Sequence, residues 1–459
     1  MHPPHSPASG TGPPPNSACP LYSGESPPPV PLTGQENLAE LRERYGSAAP
    51  VELEPGVRAW LLLGYQENLE ALRNTRSFSN DPRKWSLRRE GHIPPDSPLR
   101  YVAQHLPQAA TNDGEVHRRL RSPVAAALRR LDEETLQARV QYLADLHIDA
   151  FSGRGHAELV EEYGSALPAA VLNWIIGVSD DERAPDIAAT DPQSSDRATA
   201  HEQLRTVTQY FTELARRKRD SPGHDLVSQL VAHESNLSDT EVAHSLTMLV
   251  TSGHGTTSAL IGNALYRVLT DADLRSALFD FQLRVDDLVE QTLWNDPPQR
   301  SWLGRYARED LRFGSADIRA GDGIVIGFAA AHSDPTATGS GESAAGLGSA
   351  TNRAHLSWGA GAHQCPGQHL AWHIATTGIS ALLRRLPDTR LGTSPARIRR
   401  SGLLNGRGLL ELPVTFTPVA ASRSGGKTPP STPETAQYAP RGGVSAPFAA
   451  MVARWRRRR

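Results

Sequence analysis

The sequence predicts a mainly helical chain carrying small β-sheets, and three observations predict it. Apolar residues recur at helical spacing through 131–178 and again over 238–269. Strand-like patterning is confined to short stretches within 51–63, 302–331 and 402–416. The chain is organised around Ser357-Trp358-Gly359-Ala360-Gly361-Ala362-His363-Gln364-Cys365-Pro366-Gly367, a glycine-studded loop that opens directly onto a helical pattern over 368–386.

The elements follow in order. Residues 1–35 are rich in Pro, Ser and Gly and are expected to be disordered, with Cys19 an incidental thiol. A short helix leads from Leu38 to Tyr45. Residues 51–53 and 58–63 flank Pro55-Gly56 as a β-hairpin, and 66–74 read as a helix that 75–80 close. Residues 80–112 are polar and Pro-rich, with Trp85, His92 and Tyr101 interspersed. A loop of that length is either plain surface or functional, and in a compact domain more often the latter.

His117 and Arg121 lie four apart and share one helix face. Two or three amphipathic helices fill 131–178, an acidic loop follows over 180–200, and 201–218 form a helix with Leu204, Val207, Phe211 and Leu214 on one stripe. Ser238-Asp239-Thr240-Glu241 has capping-box form. The helix it starts would run roughly 45 Å at about 1.5 Å per residue. Gly253 and Gly255 sit at its middle beside Thr256 and Thr257. Two mid-helix glycines cost about 1 kcal/mol each, which calls for a reason: a kink, or a local opening over a ligand. A strand covers 302–306, and Gly321-Asp322 turns into an apolar strand over 323–331. Residues 402–416 alternate as a hairpin. Residues 419–459 are expected to be disordered, ending in a basic run around Trp455 that either touches an anionic surface or is simply solvated.

Composition narrows the class. At 459 residues and 38% apolar content the chain can bury a large core, and length alone suggests two or three domains. A net charge of −2 points neither to nucleic acid nor to an anionic membrane. Cys19 and Cys365 are far apart and in unlike contexts, which suggests no disulfide framework and fits a reducing cytoplasm. No run of about 18 uncharged apolar residues suggests a membrane span, and no basic region with an apolar core suggests a signal peptide.

The chemistry of the loop is specific. Gly359, Gly361 and Gly367 can take backbone angles closed to other residues and let a flat ligand approach the main chain. Cys365, just ahead of a helix, faces the positive end of the dipole, which favours thiolate. One thiolate, with no second cysteine or clustered histidine, cannot make a structural zinc site. It suits a haem iron, where axial sulfur pushes electron density toward O–O cleavage.

At these residues the chain resembles the cytochrome P450 family of haem-thiolate monooxygenases. The family pattern Phe-Gly-x-Gly-x-His/Arg-x-Cys-x-Gly is matched except that Trp358 stands where Phe is usual. The resemblance implies one large, mainly α domain of the cytochrome P450 fold over 36–418, between tails at 1–35 and 419–459. It implies haem b with Cys365 as iron ligand. His117, Arg121, Arg305 and His363 would hold the propionates, and Trp358, Gly359, Gly361 and Gly367 would shape the cofactor loop. Ser252-Gly253-His254-Gly255-Thr256-Thr257 resembles the Ala/Gly-Gly-x-Asp/Glu-Thr-Thr/Ser motif. Gly253 would leave room for dioxygen (O2), Thr256 would hydrogen-bond it and relay protons, and Thr257 would sit beside them.

Further implications are a small-molecule substrate and electrons from NAD(P)H through a ferredoxin and its reductase, since no flavin or dinucleotide motif is present. The enzyme would be a cytoplasmic monomer of the soluble bacterial type, with basic residues near Cys365 docking the ferredoxin. In the family, 80–112 and 201–218 cover the substrate, 159–177 form a helix pair beneath the haem, and 402–416 turn into the pocket.

The chain departs from the family twice. Gly255 replaces the acid that passes protons inward, leaving water, a substrate group or His254 to do so. Gln291 and Trp294 occupy the Glu-x-x-Arg positions, and 336–350 contain no arginine to join them, Arg353 being too close to the loop. The buried ion-pair network is therefore expected to be missing as a set, as in a small group of actinomycete haem-thiolate proteins. These departures leave two alternatives open: a haem-binding regulatory or scaffold protein with little turnover, and peroxide-driven oxidation or rearrangement.

Overall fold

The computed structural model describes residues 28–34, 36–94, 97, 99, 103–178, 197–337, 353–401, 406 and 408–422. Its axis is the helix Asp239–Thr270, 32 residues long. The Ser238 hydroxyl accepts from Glu241 N–H, and the Glu241 carboxylate accepts from Ser238 N–H, which satisfies two otherwise orphaned donors. Val242, Leu246, Val250, Leu260, Ile261, Leu265 and Val268 on this helix are all buried. Burying a side chain of that size contributes about 1.5–3 kcal/mol. The helix stays α-helical through Gly253 and Gly255, so the expected local opening is absent.

Helices Ala166–Ile176, Arg197–Asp220 and Gln368–Arg385 pack around this axis, as does a π-helical stretch, Val160–Ser165. Gly164 faces this axis, where a Cβ would stand in ordinary contact, 3.6 Å from Ser258 O. Helix Glu133–Ser152 packs on Gln368–Arg385 from the outside. On Arg197–Asp220 the predicted stripe buries Val207, Phe211 and Leu214, while Leu204 is half-buried. Most of the predicted acidic loop, 179–196, lies outside the described residues.

The large sheet has six strands in the order Val30–Pro31, Ala48–Glu54, Val57–Leu62, Gly323–Ile326, Trp302–Ala307, Phe78–Ser79. Its predicted hairpin turns at Gly56, whose φ of +81° suits glycine. Val57–Leu62 then pairs in parallel with Gly323–Ile326, placing Trp60 opposite Ile324. Four expectations need correction. Val30–Pro31 is an edge strand within the segment predicted to be disordered. Residues 80–112 include helix Ser86–Arg89 and a fully buried Trp85 whose ring lies 5.8 Å from Tyr306. The strand predicted over 323–331 ends at Ile326, and Phe328–His332 is helical. In the described part of the predicted hairpin at 402–416 the antiparallel pairing starts earlier, with Arg400 opposite Leu409 and Ser401 N–H donating to Gly408 O, while Gly406 bridges Gln299 and Pro413–Thr415 pairs instead with His156–Glu158 and Arg390–Leu391. Residues 402–405 and 407, like 338–352, 1–27 and 423–459, lie outside the described residues. No described helix is long and apolar enough to cross a membrane.

The expectation of a missing buried network also changes. Glu290, one position before Gln291, holds His355 Nε2 at 3.0 Å, with both side chains buried. Trp294 lies against His332 and His355, with ring centroids 5.0 and 6.1 Å away. His332 Nδ1 is 3.2 Å from Trp294 O, and its Nε2 accepts from Leu356 N–H at 2.9 Å. Burial pushes His332 down to about 3, so its ring is neutral and free to accept. Gln291 Oε1 accepts from Arg267 instead of from an arginine at position 294. An acid–base contact therefore exists, displaced by one residue and built from histidine, while Arg353 is exposed.

Removing one partner of this contact strands the other. His355→Ala should lower the unfolding free energy by about 3–5 kcal/mol. Glu290→Leu combined with His355→Leu should cost clearly less than the two single changes summed. Denaturant midpoints of His355→Ala, the two single leucine variants and their combination check this.

Candidate active site

The loop 357–367 is held from three sides. Ser357 Oγ donates to Leu293 O at 2.8 Å. Cys365 N–H donates back to Trp358 O at 2.8 Å, and Gly359 N–H to Leu356 O at 2.7 Å. Gly359 and Gly361 take φ of +69° and +71°, which favours glycine. At Gly361 a Cβ would stand 3.0 Å from Arg73 Cα and from Leu72 O, so two constraints coincide there. Gly367 differs from expectation: its φ is −92°, and its contribution is an N–H that donates to the Cys365 sulfur.

The Cys365 thiol lies deep in the protein although the residue as a whole is exposed. Burial pushes the thiol up, and the Gly367 N–H and the Arg121 cation only partly offset it. The helix-dipole argument for a thiolate is thus outweighed by desolvation in the metal-free protein. Trp358 is half-buried and packs against the main core.

The predicted basic residues converge from three distant parts of the chain. His117 and His363 stack with centroids 4.0 Å apart. Arg121 donates to Gln364 O, one residue before the cysteine. Arg305, only 4% exposed, donates to Ala71 O at 3.2 Å and Gly304 O at 2.8 Å, both backbone carbonyls. Burial lowers Arg305 to about 10. Burial also takes His363 down to about 2, with His117, Arg305 and Arg121 adding to it. His117 Nε2 is buried and has no hydrogen-bond partner among the described residues.

One carboxylate lies nearby. Asp113 Oδ1 is 4.0 Å from His363 Nε2. It is already engaged by Arg308 at 2.7 Å, by Asn80 N–H at 3.0 Å and by the Ser79 hydroxyl. Sequence reasoning missed Asp113. Its one signal was its place directly ahead of a helix, and there it makes no side-chain cap. The cluster is therefore short of negative charge, which two haem propionates would provide.

On the axial helix, Ser252, Gly255 and Thr256 are exposed at mid-length, between buried Val250 and buried Leu260. A Cβ on Gly253 or Gly255 would meet nothing within 4 Å. This open space is what a ligand needs, and a straight helix provides it. Thr256 Oγ1 donates to Ser252 O at 2.5 Å. Thr257 points the other way and is buried. His254 is also buried, with Nε2 3.0 Å from Ser165 O and 3.1 Å from Ser165 Oγ. It is held against Ser165 of the π-helical stretch.

No protein-family profile matches the chain. The chain is 30% identical over 395 residues to 2-hydroxy-5-methyl-1-naphthoate 7-hydroxylase of Streptomyces carzinostaticus, covering 84% of this chain and 95% of that one. It is also 30% identical to the cytochrome P450 monooxygenase PikC of Streptomyces venezuelae, covering 85% and 95%. Among solved structures, CYP154C4 from Streptomyces sp. W2061 superposes with a TM-score of 0.74 at 28% identity, over 85% of this chain and 99% of that one.

Two measurements test the electrostatics. In haem-free protein on a Cys19→Ser background, alkylation of Cys365 should show a pH midpoint above that of a free thiol. Arg121→Gln should move it higher still, because removing a cation disfavours the thiolate.

Proposed function

The chain belongs to the cytochrome P450 family of haem-dependent monooxygenases, and from that premise we propose that it inserts one atom of dioxygen into a small organic substrate, with electrons from NAD(P)H delivered by a ferredoxin and its reductase. The observation that carries the site assignment is the buried basic cluster beside Cys365. Among the described residues Arg305 donates only to backbone carbonyls, and His117 Nε2 has no hydrogen-bond partner. When bound, haem supplies two carboxylates and an iron that activates dioxygen and holds a sulfur ligand as thiolate.

Cys365 is the residue proposed to hold the iron, with the Gly367 N–H and Arg121 stabilising negative charge on its sulfur. His117, Arg121, Arg305 and His363 would neutralise the propionates. Gly359 and Gly361 keep the loop narrow, and Trp358 backs it. Gly253 and Gly255 leave the axial helix open, and Thr256 can release Ser252 O to offer its hydroxyl to the oxygen being reduced. Thr257, buried, is left a packing role. With Gly255 in the acid's place and His254 turned away, water or a substrate group is the proton source this site allows. The enzyme unit would begin at the Val30–Pro31 strand instead of residue 36 and run to about 418. A ferredoxin would dock on the face around the cysteine loop, where Arg121 and exposed Arg129 lie close together.

The reduced protein with carbon monoxide should give the thiolate-type Soret band, and Cys365→Ala should lose it. A Cys365→Ala variant that kept the band would end the assignment. Thr256→Ala should keep the band yet form product about 10²-fold more slowly. Steady product formation with a ferredoxin, and none with peroxide alone, would establish the electron route.

A further inference from the structure

Away from the cluster described above, three side chains on two helices bring metal-ligating atoms together. His369 and His373 are four apart on helix Gln368–Arg385, so they share one face. Glu133 begins helix Glu133–Ser152, which packs alongside. His373 Nε2 stands 3.3 Å from His369 Nε2 and 3.3 Å from Glu133 Oε1. All three ligand atoms lie within 4.8 Å of one another.

Those separations are long for hydrogen bonds, whose usual N···O distance is about 2.9–3.0 Å. A single ring nitrogen also has only one hydrogen or one lone pair, so His373 Nε2 cannot serve both neighbours well. Two ligands each about 2.0–2.1 Å from a tetrahedral ion stand roughly 3.3–3.4 Å apart, which both measured edges match. The inner ligand is also packed in place. His373 is buried, with the Trp372 ring 5.1 Å away at 89° and the His369 ring 4.4 Å away at 68°. Glu133 and His369 are exposed, so an ion can enter and a fourth position faces solvent.

We propose that Glu133, His369 and His373 form a zinc site, with water as the fourth ligand. Two imidazoles and one carboxylate suit a first-row transition ion, whereas calcium and magnesium take oxygen ligands, and the tetrahedral edge lengths favour zinc among the former. The site corrects the reading that no histidines cluster near the cysteine loop. Nothing in it uses Cys365, but it begins one helical turn beyond that residue. Occupancy would pin the helix carrying the loop to the start of its neighbour.

The test is zinc titration of the full, haem-loaded chain without a polyhistidine tag, by calorimetry and by zinc-edge X-ray absorption, which the haem iron does not obscure. One equivalent should bind, coordinated by two nitrogens and two oxygens. Glu133→Gln, His369→Ala and His373→Ala should each weaken it by at least about 10-fold, and His156→Ala, at an exposed histidine elsewhere, should not. His369 is exposed, so its variant should fold even if the His373 variant does not. The carbon-monoxide spectrum should be unchanged in folded variants, which separates loss of zinc from loss of haem. Zinc that binds only at millimolar concentration, or that is indifferent to all three ligand changes, would overturn the proposal.

Discussion

Three consecutive residues fix the cysteine loop. His355 is held by Glu290, Leu356 N–H by His332, and Ser357 Oγ by Leu293 O. Two of those anchors sit on helix Val285–Asn295, and the third, His332, reaches the same helix through Trp294 O. The loop therefore inherits its position from a buried polar clamp. A glycine-rich segment has little side-chain packing of its own and high backbone freedom, so without such a clamp it would lose its geometry. The clamp also shows how a buried pair can relocate: the acid moved by one residue, and a histidine on the loop's own approach took the base's role. Glu290, His332 and His355 each keep at least one partner, while His355 Nδ1 is left without one among the described residues.

Beyond the clamp, the site is defined by an imbalance. Among the described residues Arg305 donates only to backbone carbonyls, and His117 and His363 are pressed together with burial lowering both. Asp113 cannot balance them, because Arg308, Ser79 and Asn80 already use it. An interior that sets the Arg305 and Arg121 cations beside these imidazoles costs stability unless an anion arrives. The cluster thus reads as a receptor for carboxylates, and the raised Cys365 thiol beside it reads as a ligand completed by its metal.

The axial helix contributes by what it omits. Gly253 and Gly255 leave it α-helical; they lie on either side of Thr256 around the helix and leave open space beside its hydroxyl. His254 and Thr257, on the opposite face, are core residues. A helical pitch of about 3.6 residues separates these roles within one short motif.

The sequence alone determined what depends on local spacing. The helix Asp239–Thr270 with its cap, the Gly56 hairpin, the loop ahead of Gln368–Arg385 and the pairing of His117 with Arg121 on one face all follow from periodicity and turn chemistry. So did the candidate cysteine, because its glycines and histidine are its near neighbours in the chain. Tertiary structure decided the rest. Glu290 and His355, 65 positions apart, became partners; Asp113 met His363, and Glu133 met His369 and His373, only once helices had packed. The thiol's shift was likewise settled by burial, which no local pattern encodes. Spacing along a chain fixes which face a side chain occupies, but what stands opposite that face, and how much water remains, are properties of the assembled core.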